Sequence, residues 1–113
     1  MSDTFERACA LADVPDEGVV AVEVAGVEVA VVKSDGQVFA VRDECSHAQI
    51  ALSEGEVGNC EIECWLHGST FDLRTGEPVS LPAYEPVPIY PVRIDGDDVL
   101  VDVKNPINAD ALN

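Results

Sequence analysis

Positive charge is scarce in this sequence: 6 Lys and Arg stand against 22 Asp and Glu, a net charge of −16 over 113 residues. Nucleic acid and anionic membrane surfaces are excluded as partners, because phosphate binding draws on Lys and Arg. Long apolar runs are missing too. The most apolar stretch, Gly18 to Val32, is shorter than a membrane span and carries Glu23 and Glu28. No basic start followed by an apolar segment marks a signal peptide, so the expectation is a cytoplasmic protein with no membrane anchor. No Gly-x-Gly-x-x-Gly run occurs, so neither a pyridine nucleotide nor a flavin has its usual binding turn. The length suits one domain with a modest core, and the 47% apolar content suits a packed globule. Histidine occurs only twice.

Both histidines fall in one pattern. Cys45-Ser46-His47 is followed, after sixteen residues, by Cys64-Trp65-Leu66-His67. Two thiols and two imidazoles in a matched pair of Cys/His loops are what a four-ligand metal site needs. Zinc accepts the same donors in tetrahedral geometry. Its usual spacing, however, groups Cys with Cys and His with His, whereas here each loop supplies one of each. A reading with no metal, as buried cysteines and core histidines, requires all four residues to fall into register by chance.

The doubled pattern resembles the Rieske family, whose members hold a 2Fe-2S cluster with two Cys on one iron and two His on the other. The resemblance implies one such cluster per chain, with Cys45 and Cys64 on the inner iron and His47 and His67 on the outer. The run from Cys64 to Pro78 is similar to the second cluster loop of soluble Rieske ferredoxins, through Phe71-Asp72 and Thr75-Gly76. Gly68 lets the backbone approach a cluster sulfur without a Cβ in the way. The likeness spans residues 4 to 103. In the high-potential members of respiratory complexes each loop carries an extra Cys, and the two form a disulfide. Ile50 and Leu66 stand at those positions here. Of the two hydroxyls that hydrogen-bond the cluster in those proteins, Ser69 is kept and Phe71 replaces the tyrosine.

Away from these loops the chain reads as strand and turn. Phe5 to Ala8 suggests a first strand, followed by the valine-rich Val19 to Val24 and Val27 to Lys33 about Ala25-Gly26. Asp35-Gly36 is a hairpin signal leading into Gln37 to Arg42. Short strands are expected near Glu61 to Glu63 and Phe71 to Leu73, turned by Gly58-Asn59 and Thr75-Gly76. Ile89 to Asp95 and Val99 to Val103 make a closing hairpin. The predicted fold is all-β: a Rieske-like antiparallel β-sandwich or barrel with an inserted cluster-binding subdomain. Its base sheet takes residues 4–42 and 84–103, the insertion 43–83, and a flexible tail 104–113. Pro82 either stiffens a loop or, as the family suggests, belongs to one that covers the cluster. Cys9 and Cys60 are expected to be buried, inert thiols, since a reducing compartment disfavours disulfides.

Function follows from the shortage of histidine. A 2-His-1-carboxylate oxygenase site needs two more than the chain has, so it is not the catalytic subunit of such an enzyme. Without a nucleotide or flavin site, one-electron transfer remains. The resemblance supplies the pathway: a ferredoxin carrying electrons from an NAD(P)H-dependent flavoprotein reductase to the terminal Rieske non-haem iron oxygenase of an aromatic-ring dioxygenase. Substrates of such systems include carbazole, biphenyl, naphthalene and toluene, and the carrier touches none of them. The alternatives are a small Rieske subunit of a nitrite reductase or an iron-sulfur assembly system, and a zinc-stabilised interaction module. Electrons are expected to leave through His47 or His67 at the tip, bordered by Ala48, Gln49, Leu66 and the loop near Pro82. The acidic surface either steers encounters with basic partners or simply keeps the protein soluble. With no covering disulfide and no hydroxyl at position 71, the expected potential lies near the bottom of the Rieske span, about −150 mV.

Overall fold

A computed structural model of the chain describes residues 4–43, 51–63, 70–79 and 86–108. After β1 (Glu6–Ala10), valine dominates β2 (Gly18–Val24) and β3 (Val27–Ser34), and β4 (Gln37–Arg42) completes a meander. Its two turns are Ala25-Gly26, with φ of 51° and 82°, and Asp35-Gly36, with φ of 51° and 75°. Two successive positive φ angles match the twist of the flanking strands, so these dipeptides set the registers Val24 to Val27 and Ser34 to Gln37.

β3 does not alternate between apolar and polar because it is covered on both faces. Val29, Ala30, Val31 and Val32 are all fully buried. Ala30 and Val32 face one core, with Leu52, Ile62, Phe71 and Val87. Val29 and Val31 face the other, with Cys9, Tyr90, Val99 and Val101. Over the first core lie β5 (Val57–Gly58), β6 (Glu61–Glu63) and β7 (Thr70–Asp72), paired in that order. β8 (Ile89–Tyr90) joins the edge of β4. The second core is closed by β9 (Val92–Asp95) and β10 (Asp98–Val101) in the order β1-β10-β9. The architecture is all-β and antiparallel throughout, as expected.

Several local expectations are corrected. Ile89 to Asp95 is two strands in different sheets, because Pro91 has no N–H to continue a ladder. Its carbonyl instead accepts from the Asp102 amide at 3.2 Å. The β5–β6 turn sits one residue later than Gly58-Asn59, on Asn59 and Cys60, with φ of 53° and 60°. β1 runs on to Ala10 across an irregular register between Arg7 and Cys9.

The segment expected to fray from Lys104 is held as far as Asn108. Ile107 donates its amide to the Ile89 carbonyl at 2.8 Å. Asn108 Oδ1 accepts from the Ile89 amide at 3.1 Å, and its Nδ2 donates to the Val87 carbonyl at 2.9 Å and the Thr75 carbonyl at 3.3 Å. The reason is the sheet edge: β8 pairs only with β4, and the tail satisfies its outward backbone groups. Asp102 ties the ends together, accepting from Thr4 Oγ1 at 2.6 Å, Asn105 Nδ2 at 2.8 Å and the Lys104 amide at 3.0 Å. Burial pushes its carboxyl up, but these hydrogen bonds outweigh it and hold the pKa below its ordinary value. Among the described residues no helix is long and apolar enough to cross a membrane.

Candidate metal centre

Cys45, His47, Cys64 and His67 lie outside the described residues, as do Ala48, Gln49, Ile50, Leu66, Gly68, Ser69 and Pro82. What the structure describes is the frame that holds the stretches carrying them. β6 ends at Glu63 and β7 begins at Thr70, and these two residues pair directly, so the described residues on either side of 64–69 stand side by side in the sheet. Val79, the last described residue before 80–85, donates its amide to the Thr70 carbonyl at 2.7 Å. On the far side of that stretch the Val87 amide reaches the Gly76 carbonyl at 2.9 Å.

The first stretch, 44–50, is rooted equally firmly. Asp43 follows β4 and donates its amide to the Glu28 carbonyl at 3.0 Å. Its carboxylate accepts from the Ser53 amide at 2.7 Å and the Ser53 hydroxyl at 2.8 Å. Beside Ser53, Leu52 is fully buried in the core. The turn Leu52–Glu54 ends with the Gly55 amide on the Leu52 carbonyl at 2.9 Å. Gly55 lies so close to Glu63 that a Cβ there would run into the Glu63 carbonyl, and the Glu63 amide donates to the Glu56 carbonyl at 2.8 Å. The roots of the two Cys/His stretches, distant in sequence, therefore rest on each other.

This arrangement suits the donor chemistry. No group of His, Cys, Asp and Glu among the described residues could hold a metal ion, and the chain's two histidines both fall in the two rooted stretches. Each stretch brings one thiol and one imidazole, the two donor types a Rieske cluster takes on its separate irons.

The remaining cysteines are poorly placed as ligands. Cys60 sits at the end of β6 away from Glu63, roughly 10 Å along a strand. Its amide donates to the Ser34 hydroxyl oxygen at 2.9 Å and its thiol to the Ser34 carbonyl at 3.9 Å. Cys9 is in the second core, where burial pushes its thiol up and disfavours the thiolate. Both are free, buried thiols, as the sequence suggests. Ser34, itself fully buried, also donates to Glu17 Oε2 at 2.8 Å, so it joins the β3–β4 turn to the β5–β6 turn. The Glu17 carboxyl also accepts from the Asp35 amide at 2.6 Å; that bond and the Ser34 hydroxyl hold it below the ordinary glutamate value.

Around the frame the surface is acidic. Glu56, Glu61 and Glu63 line a shallow groove with Thr70, and Asp72 pairs directly opposite Glu61. Arg74 offsets Asp72 at 3.4 Å. Phe71 points the other way, fully buried in the core and paired with Ile62. Sequence reasoning missed Asp43, Ser53 and Gly55, which form the frame. A serine ten residues after an aspartate carries no pattern, and Gly55 looks like any loop glycine.

Comparison with known proteins follows the same line. A family model described as the Rieske [2Fe-2S] domain matches residues 4–91. The chain is 42% identical over 100 residues to the biphenyl dioxygenase ferredoxin subunit of Pseudomonas sp. (strain KKS102), covering 88% of this chain and 92% of that one. Its fold is similar to the ferredoxin of carbazole 1,9a-dioxygenase from Nocardioides aromaticivorans IC177, with a TM-score of 0.83 and 40% identity, covering 88% of this chain and 97% of the other. A chain in a complex of reduced oxygenase and oxidized ferredoxin in carbazole 1,9a-dioxygenase is similar at a TM-score of 0.82 and 30% identity, covering 89% and 94% respectively.

Proposed function

The chain belongs to the Rieske family, and from that membership we propose that it is a ferredoxin passing single electrons from an NAD(P)H-dependent flavoprotein reductase to the terminal oxygenase of an aromatic-ring dioxygenase. The observation that carries this reading is the near whole-length likeness to two dioxygenase ferredoxins, at 42% and 40% identity. The solved complex of an oxygenase with a related ferredoxin supports an oxygenase as the electron acceptor. These relatives do not favour a nitrite reductase or iron-sulfur assembly subunit, and family membership opposes a zinc-held module.

In this reading Cys45 and Cys64 hold the inner iron as thiolates and His47 and His67 hold the outer iron as neutral imidazoles. The cluster supplies one-electron chemistry and no hydride chemistry. The chain's own part is to keep that geometry fixed and to bring partners to it. Leu52, Gly55 and the Glu63–Thr70 pair hold the roots of both loops. Residues 43–83 act as the cluster-binding part and the valine sheets as its base. The carboxylates of Glu56, Glu61 and Glu63 lie outside the roots and favour encounter with basic partner surfaces. Electron transfer, not catalysis, is the role, and the aromatic substrate is met by the oxygenase alone. The free thiols of Cys9 and Cys60 suit a reducing, cytoplasmic setting.

Reconstitution tests the proposal. NADH, a flavoprotein ferredoxin reductase, this protein and the terminal oxygenase of a biphenyl or carbazole system should together oxidise the aromatic ring, and leaving this protein out should stop product formation. A protein that the reductase cannot reduce, or that no oxygenase reoxidises, contradicts the role.

A further inference from the structure

We propose that Asp43 is the positioning residue of the first cluster loop, an inference that rests on the Rieske reading above. Among the described carboxylates only Asp43 and Asp102 are buried. Burying a carboxylate is costly unless its oxygens are satisfied. Asp43 spends both on one residue: Oδ1 takes the Ser53 amide at 2.7 Å and Oδ2 the Ser53 hydroxyl at 2.8 Å. A two-point grip by a carboxylate fixes orientation as well as distance.

Both ends of the grip are themselves anchored. The Asp43 amide is bonded to the Glu28 carbonyl of β3 at 3.0 Å, which ties this end to the central sheet. Ser53 lies in the turn Leu52–Glu54, whose Leu52 is fully buried in the first core. The stretch 44–52, which carries Cys45 and His47, is thus pinned across its base by one side chain. Gly55, two residues beyond Ser53, rests on the Glu63 carbonyl, and Glu63 immediately precedes Cys64. The same grip therefore sets where the first loop stands relative to the second. Loss of the whole grip frees one thiolate and one imidazole to drift from the other pair, without removing a ligand.

The test compares Asp43→Ala, Asp43→Asn, Ser53→Ala and Asp102→Ala in the cluster-loaded protein. The readouts are the g values of the reduced protein by electron spin resonance and the rate of iron loss to a ferrous chelator. Asp43→Ala should shift or broaden the g values and speed iron loss about 10–100-fold, the usual cost of removing a group that orients metal ligands. Ser53→Ala keeps the amide half of the grip and should fall between Asp43→Ala and the wild type, which keeps the idea testable if Asp43→Ala fails to fold. Asp43→Asn, whose carbonyl can still accept the Ser53 amide, should restore most of the wild-type behaviour. Asp102→Ala removes the other buried carboxylate and should lower thermal stability while leaving g values and iron loss unchanged. Wild-type g values and iron-loss rate in both Asp43→Ala and Ser53→Ala would overturn the inference, as would Asp102→Ala matching Asp43→Ala in both readouts. A wild-type protein with no Rieske signal would instead overturn the functional reading itself.

Discussion

Glu63 and Thr70 stand directly opposite each other across β6 and β7, and the Thr70 carbonyl also receives the Val79 amide at 2.7 Å. One residue, Thr70, thus ends the second Cys/His stretch and anchors the start of the stretch that carries Pro82. Since Glu63 carries Gly55 against its carbonyl, the roots of the three internal stretches outside the described residues share a single footing. A disturbance at any root should reach the others.

Gly55 is the sharpest test of that footing. Its φ of −90° and ψ of −170° are open to any residue, so the objection to a side chain is contact alone. Gly55→Ala should cost at least about 1–3 kcal/mol through overpacking and yield protein with much less iron per chain. Gly58→Ala is the control, because nothing lies within 4 Å of a Cβ built there. Thermal denaturation and iron analysis of the two variants should differ clearly.

The tail provides a second test. Asn108→Ala removes three hydrogen bonds to the Thr75 turn and the edge of β8, and leaving the buried partners unmet costs about 1–3 kcal/mol. Amide exchange at Ile89 should accelerate with the same substitution. An unchanged melting temperature and unchanged exchange would mean that the tail contributes nothing to holding the edge.

Acid sensitivity follows from Glu17. Its folded pKa is depressed by the Asp35 amide and the Ser34 hydroxyl, so the unfolded chain binds the proton more readily. The stabilisation is therefore complete above the ordinary glutamate value of 4.5 and is lost as pH falls through the lower folded value. Glu17→Gln should be less stable than wild type at neutral pH, with the gap closing on acidification below about pH 4.5. Denaturant titrations at matched pH values check the sign, and a gap that widens in acid would contradict it.

Much of the fold is legible in the chain because local chemistry and tertiary demand agree. Asp35-Gly36 takes two positive φ angles readily, and the register of β3 against β4 follows from that turn. Ile89 to Asp95 misleads because both halves favour strand, and only the different partners on either side of Pro91 separate them. Asn108 could not be foreseen: a polar residue in an aperiodic tail gives no sign that an edge strand awaits it. For the metal centre the relation reverses. Four reactive side chains in a repeated pattern are legible in sequence, whereas the Asp43–Ser53 grip exists only once the chain is folded.

The potential should be low for this family. Fully buried Phe71 offers no hydroxyl, and Ile50 and Leu66 offer no disulfide. Protein-film voltammetry at neutral pH should give a midpoint near the bottom of the Rieske range, about −150 mV. Phe71→Tyr should raise it if the new hydroxyl reaches a ligand sulfur, because a hydrogen bond donated there favours the more negative reduced state. A clearly positive wild-type midpoint would point to a quinol-linked role.

The central claim is that Cys45, His47, Cys64 and His67 together hold one cluster with imidazoles on one iron only. Electron-nuclear double resonance on the reduced protein reads this directly. Couplings from two imidazole nitrogens are predicted, alongside a Rieske-type spin resonance signal, with one nitrogen lost in His47→Cys and the signal abolished in Cys45→Ser or Cys64→Ser. A wild-type signal without strong nitrogen couplings, or a colourless protein carrying zinc, would contradict the account.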